Sequence, residues 1–171
     1  MKQRDAIKMT EQEAIAFLHE GMREMWPMFL ATNGPGGYPH IVSMGWIYRN
    51  GRILFQTYGK SQKIVNLRRD PKAAVILEAS PYGETGGFEH RRLRGLMIRG
   101  VCELDDNPQR VVEVLTAMWE NGAARSLRLG ARPERQLLDF VKQRAHKRIA
   151  ISFIPQKWAS WDHGKLAPDT Y

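Results

Sequence analysis

The spacing of apolar and polar positions changes along the chain, and each change marks an element. Ile15, Leu18, Met22 and Met25 recur at three- and four-residue steps, which predicts a helix with one apolar face. Thr10 and Glu13 precede that run in the T-x-x-E spacing of a capping box, where each side chain satisfies a backbone donor of the first turn. Pro27 is expected to stop it. From Met28 the period becomes two. Residues 29–32 read as a strand, 33–37 as a Gly/Pro turn and 40–49 as a second strand. Asn50-Gly51 predicts a type I′ hairpin, since both central residues of that turn need positive φ, and 52–58 is the return strand. Residues 59–69 read as a short helix with Ser61 near its start and Asp70-Pro71 at its end, followed by a buried strand over 73–78.

Residues 80–89 are rich in Gly and Pro and predict a loop. A strand follows over 93–104, with Gly95 and Gly100 marking bulges or close backbone approach. Asn107-Pro108 opens a helix in the favoured order, cap residue then proline, and Val111, Leu115 and Met118 share its face. A second helix is expected over 132–146, starting at Pro133, with Leu137 and Val141 on one side. Residues 148–155 form the last strand, and a tail over 156–171 carries Trp158 and Trp161. Antiparallel strands joined by short turns, with few helices between them, argue for an α+β fold with a barrel. One domain is expected: an N-terminal helix to residue 27, barrel strands over 28–104, a helical region over 107–147, and a closing strand and tail over 148–171.

Composition narrows the class. A chain of 171 residues, 43% hydrophobic and 26% charged, has the make-up of an ordinary globular domain. The lone Cys102 cannot form an intramolecular disulfide, and no apolar run resembles a signal peptide or a membrane span, so a cytoplasmic location without membrane contact is expected. The formal charge of +8 suits an anionic partner, but the basic residues are scattered, with no run of five. The five histidines and Cys102 show no metal-ligand spacing, and no G-x-S-x-G element supports hydrolase chemistry.

One segment carries chemistry. Residues 57–63, Thr-Tyr-Gly-Lys-Ser-Gln-Lys, leave a strand and enter a helix. A helix N-terminus offers free N–H groups and a positive dipole end. Thr57 and Ser61 add hydroxyl donors, Lys60 and Lys63 add charge, and Gly59 lets the backbone approach a ligand. On the residues alone, an anion cup for a terminal phosphate and a solvated helix start with its lysines in water are equally supported. The G-x-x-x-x-G-K-[ST] pattern of a P-loop is absent.

Set between the Asn50-Gly51 hairpin and Asn66-Leu67 and Asp70-Pro71, this segment resembles the pyridoxamine 5'-phosphate oxidase-like split-barrel superfamily. The resemblance continues through the glycine-bearing strand 96–104. Pro155, Trp158, Trp161-Asp162 and Lys165-Leu166 look like its flavin/deazaflavin oxidoreductase branch. It implies a six-stranded antiparallel split β-barrel with flanking helices, and FMN or the deazaflavin coenzyme F-420 bound at a homodimer interface. By the same resemblance Thr57 and Lys63 contact the cofactor phosphate, with Ser61 and Lys60 in the same turn. Gln56 lies beside the cofactor, and Ser43 and Met44 lie on the strand that backs the isoalloxazine ring. Trp161 either stacks on the cofactor, as the family suggests, or anchors the core. The family's namesake enzymes carry Arg and Lys where this chain has Ile41 and Trp46, and Arg where it has Gln62. Oxidation of pyridoxamine phosphate is therefore not expected.

The expected function is an oxidoreductase in which the cofactor does the redox chemistry on a small-molecule substrate. The alternative is a carrier of flavin or tetrapyrrole without turnover. A basic nucleic-acid-binding module is disfavoured, since neither an RNA-recognition motif nor a helix-turn-helix signature is present. Asp162 and His163 are either proton donors or exposed tail residues, and the loop over 80–89 is either a lid or idle surface.

Overall fold

The computed structural model describes residues 3–82, 86–131 and 134–167, with side chains from Asp5 onward. A short turn of helix, α1 (Gln3–Ala6), precedes α2 (Glu11–Arg23), whose capping box is present in both directions. Thr10 Oγ1 accepts from the Glu13 N–H, and Glu13 Oε2 accepts from the Thr10 N–H. The buried stripe of α2 is Ala14, Phe17, Leu18 and Gly21, so the apolar face is rotated from the expected one. Met25 lies outside it, 53% exposed. The helix ends before Pro27 acts. Met25 takes φ +56°, the Trp26 N–H donates to the Gly21 carbonyl and the Met25 N–H to the Met22 carbonyl, which is a Schellman closure with methionine in the usual glycine place.

Among the described residues seven strands follow: β1 (Met28–Asn33), β2 (Pro39–Met44), β3 (Ile47–Arg49), β4 (Arg52–Tyr58), β5 (Lys72–Glu78), β6 (Arg94–Asp105) and β7 (Arg148–Asp162). They form one antiparallel sheet in the order β2-β1-β5-β6-β7-β4-β3. The two edge strands are halves of the single strand expected over 40–49, so the chain itself joins the two edges of the sheet. The break falls at Gly45-Trp46, where Trp46 turns inward, is 5% exposed, and donates its Nε1–H to the Trp26 carbonyl at 2.8 Å. The six-stranded barrel of the sequence reading thus becomes seven hydrogen-bonded segments. Between β3 and β4, Asn50 (φ +52°) and Gly51 (φ +73°) make the expected type I′ turn.

The barrel encloses one core, with Phe55, Phe153, Met28, Leu30, Leu77 and Ile98 essentially inaccessible. A second core lies between the sheet and α4 (Pro108–Arg128), built on Ile47, Leu54, Val111, Val114 and Leu115. Asn107 caps α4 by accepting from the Gln109 N–H. Asn121 Nδ2 donates to the Met22 carbonyl at 2.7 Å, tying α4 to the end of α2. α5 (Arg135–Lys142) packs on α4, while the start expected at Arg132 and Pro133 lies outside the described residues. Leu138 rather than Leu137 faces inward on α5; Leu137 is 58% exposed.

The largest departure from the sequence reading is at the C-terminus. The expected tail is the second half of β7, which pairs with β6 as far as Arg94↔Asp162. Pro155 does not end the strand, because the register shifts between Arg99 and Gly100 at that point and the bulge spares the missing N–H. Both glycines of β6 allow close approach. A Cβ on Gly95 would lie 2.1 Å from the Trp161 ring, and one on Gly100 would lie 2.1 Å from the Ile154 carbonyl oxygen. Among the described residues no helix is long and apolar enough to cross a membrane.

Gly100→Ala is expected to lower stability by about 1–3 kcal/mol, because the added methyl meets backbone that cannot give way as a flexible side chain would. Scanning calorimetry should show a fall of about 2–4 °C per kcal/mol. An unchanged transition would mean that the bulge is not held as described.

Candidate functional site

β4 ends at Tyr58, and four residues later α3 (Gln62–Arg69) begins. The connection is pinned at both ends: the Gly59 N–H donates to the Lys147 carbonyl at 2.9 Å and the Ser61 N–H to the Tyr58 carbonyl at 3.0 Å. Strand alternation puts Thr57 on the barrel side of β4 with Ile53 and Phe55, and it is 8% exposed. Lys63, in the first turn of α3, reaches back and donates from Nζ to Thr57 Oγ1 at 3.1 Å. Burial pushes its ammonium pKa below the ordinary lysine value.

Ser61 occupies the N-cap position of α3 yet makes no capping hydrogen bond, and its buried Oγ has no partner among the described residues. First-turn N–H groups lack i−4 acceptors within the helix by geometry; here the Ile64 N–H turns to the Ser61 carbonyl at 3.0 Å. A serine hydroxyl, a partly buried ammonium, a threonine hydroxyl and the positive end of a helix dipole thus meet in one turn. A buried, unpartnered polar atom carries a cost unless something satisfies it. A phosphate group fits this donor set: it is anionic and supplies several acceptor oxygens.

The helix carrying this turn is anchored by a polar cluster that the sequence reading did not assign. Asn66 is fully buried, donates from Nδ2 to Thr32 Oγ1 at 3.0 Å and accepts from Gln62 Nε2 at 2.9 Å. Thr32 pairs with His40 across β1–β2, and His40 Nδ1 is another buried polar atom without a partner among the described residues. The one trace of this in the sequence is Asn66 on the buried side of α3 between Ile64 and Leu67.

The remaining expected site residues divide between two faces. Ser43 points outward, and successive pairings Ser43↔Phe29, Phe29↔Ile76, Ile76↔Met97 and Met97↔Ala159 define one row across the outer face of the sheet. Trp161, two residues beyond Ala159, shares that face, half-buried with its ring over Gly95. Met44 points the other way, opposite the inaccessible Met28, and packs on the barrel core. Gln56 faces away from Thr57, with its Oε1 accepting from Arg148 Nη1. Lys60 is exposed and lines a separate cavity beside Lys147 and Arg148. The structure therefore pairs Lys63 with Thr57 and puts Ser61 at the N-cap of the same helix, places Ser43 and Trp161 on the outer face, and turns Met44, Gln56 and Lys60 elsewhere.

The model of the family described as pyridoxamine 5'-phosphate oxidase matches residues 15–162. This chain belongs to that family. Among solved structures, the conserved hypothetical protein Rv2991 from Mycobacterium tuberculosis is 31% identical with a TM-score of 0.76, covering 100% of this chain and 96% of its own. An F420 reductase is 17% identical (TM-score 0.54, covering 82% and 94%). An FAD-binding protein from Mesorhizobium loti is 12% identical (TM-score 0.56, covering 89% and 92%). These last two share the split-barrel fold. No curated protein sequence matches the chain.

A lysine whose pKa is lowered by folding holds its proton less well in the folded state. Lys63 therefore costs stability at neutral pH, and the cost fades as pH rises toward the ordinary lysine value of 10.5. Lys63→Met is expected to melt no lower than the parent at pH 7 without ligand, with any advantage shrinking as the pH rises toward 10.5. A variant melting well below the parent would make Lys63 a structural strut rather than a ligand group. The Cys102 thiol, pushed up to about 12 by burial, is expected to resist maleimide in the native protein and to react only after unfolding.

Proposed function

We propose that this chain is a flavin-type cofactor-binding oxidoreductase, taking FMN or the deazaflavin coenzyme F-420 with its phosphate in the turn formed by Thr57, Ser61 and Lys63. The observation that carries the proposal is the buried Ser61 hydroxyl, unpartnered among the described residues, at the N-cap of the helix whose Lys63 ammonium reaches back to Thr57. When bound, the cofactor supplies hydride or electron transfer. The chain's own residues bind, orient and shield it. Ser43 and Trp161, with the apolar Phe29, Ile76 and Met97 between them, offer a surface to a flat ring. Phe29 and Ile41 are 44% and 59% exposed on that face, and a homodimer covering it would keep water from the ring.

The substrate is a small molecule other than pyridoxamine phosphate. Where the namesake enzymes carry a basic pair, this chain has the apolar Ile41 and the buried Trp46, whose indole N–H is already spent on Trp26. The formal charge of +8 favours the more anionic of the two cofactors, the deazaflavin.

Titration of purified protein with FMN and with the deazaflavin coenzyme, followed by absorbance and fluorescence, is expected to show micromolar binding of at least one. Ser61→Ala and Lys63→Met should each weaken it about tenfold or more, the cost of a hydrogen bond to a charged group. No binding of either cofactor, or parental affinity in both variants, would overturn the reading. Turnover of the reduced, bound cofactor with an added acceptor separates an enzyme from a carrier.

A further inference from the structure

On the other side of the 57–63 segment lies a cavity of about 560 Å³ that the cofactor site does not use. Its walls come from four places in the chain: the end of β4, α3, the turn before α4, and the start of β7. Each wall except the turn before α4 contributes a cation: Lys60, Arg68, and the neighbours Lys147 and Arg148. The His146 imidazole stands beside them, and Asp106 is the one carboxylate in the lining. Among the described residues, Lys60, Arg68 and Lys147 have no ion-pair partner. Arg148 is fixed by its bond to Gln56, and the Lys147 backbone by the Gly59 N–H. Tyr58, 47% exposed, puts an aromatic ring in the same wall.

Like charges converging on one hollow repel each other, and that repulsion is relieved by a counter-anion. Scattered surface cations would point apart into solvent; these line a single concavity whose size falls in the range of small-molecule sites, about 300–1,000 Å³. We propose that this cavity is a second, independent ligand site for a multiply phosphorylated small molecule, with the cations holding the phosphates and Tyr58 available to stack against a base or other flat group. The concave, local shape favours a small molecule over an extended nucleic-acid backbone, which would need a basic stripe. The site does not depend on the cofactor reading, because Thr57, Ser61 and Lys63 take no part in it.

The test is calorimetric titration of tripolyphosphate, and separately ATP, into the full chain at low salt, with and without saturating FMN or deazaflavin coenzyme. Binding is expected in both conditions, weakening as salt rises. Arg68→Gln combined with Lys147→Gln should lower affinity about tenfold while leaving cofactor binding unchanged. Asp106→Asn should raise affinity, a gain that misfolding cannot mimic. Absence of binding at millimolar tripolyphosphate would overturn the proposal. Loss of binding in Lys63→Met, or displacement of the anion by cofactor, would also overturn it, since either result places the anion in the turn at Ser61.

Discussion

The antiparallel pairing of β6 with β7 holds the rest of the molecule in place. It runs from Arg94↔Asp162 to Asp105↔Ala150, and between those strands the chain leaves to build α4 and α5 before returning. Closing that excursion costs chain entropy, which the long ladder and the side chains buried beneath it offset. Once β7 is in place it receives β4, setting Thr57 opposite Ile149 and bringing the Lys147 carbonyl to the Gly59 N–H. The turn that carries the proposed cofactor site is thus positioned by contacts far away in sequence. The same ladder carries Trp161 to the outer face, and the shift at Gly100 lets β7 pass Pro155 without losing its partner.

Around that turn the protein combines a satisfied frame with an unsatisfied centre. The buried hydrogen bond from Asn66 to Thr32 locks α3 against β1, and Gln62, one turn earlier, holds the Asn66 amide in place. Among the described residues the Ser61 hydroxyl and the His40 Nδ1 have no partner, and Lys63 keeps its ammonium partly desolvated. A rigid frame with polar groups held ready is the arrangement expected of a preorganised site, and it lowers the stability of the ligand-free chain. A ligand that occupied the turn would return that stability.

Much of this was legible in the sequence where the signal is local. The Thr10–Glu13 box, the Asn50-Gly51 turn and the Asn107 cap each depend on residues within one or two turns, and each is where the sequence places it; α3 starts at Gln62, three residues after the expected Gly59, with Ser61 as its cap. What escaped depends on distant partners. Met25 adopts positive φ because Trp26 must reach Gly21, with no glycine to announce it. The strand over 40–49 breaks because Trp46 is drawn to the Trp26 carbonyl. β7 continues past Pro155 because it bulges at Gln156 against Arg99 and Gly100 of β6, and Leu138 replaces Leu137 in the second core because α4 sets the rotation of α5. Within the site, Thr57, Ser61 and Lys63 were readable as a cluster. The opposed directions of Ser43 and Met44 follow from strand alternation once β2 is placed.

The central claim is that the turn at Ser61 grips a phosphate. The most direct measurement compares FMN with riboflavin, and the deazaflavin coenzyme with its phosphate-free nucleus, in equilibrium binding to the same protein. The phosphate-bearing member of the pair that binds should be tighter by about a hundredfold, as two charge-assisted hydrogen bonds require. Equal affinity with and without the phosphate would contradict the account.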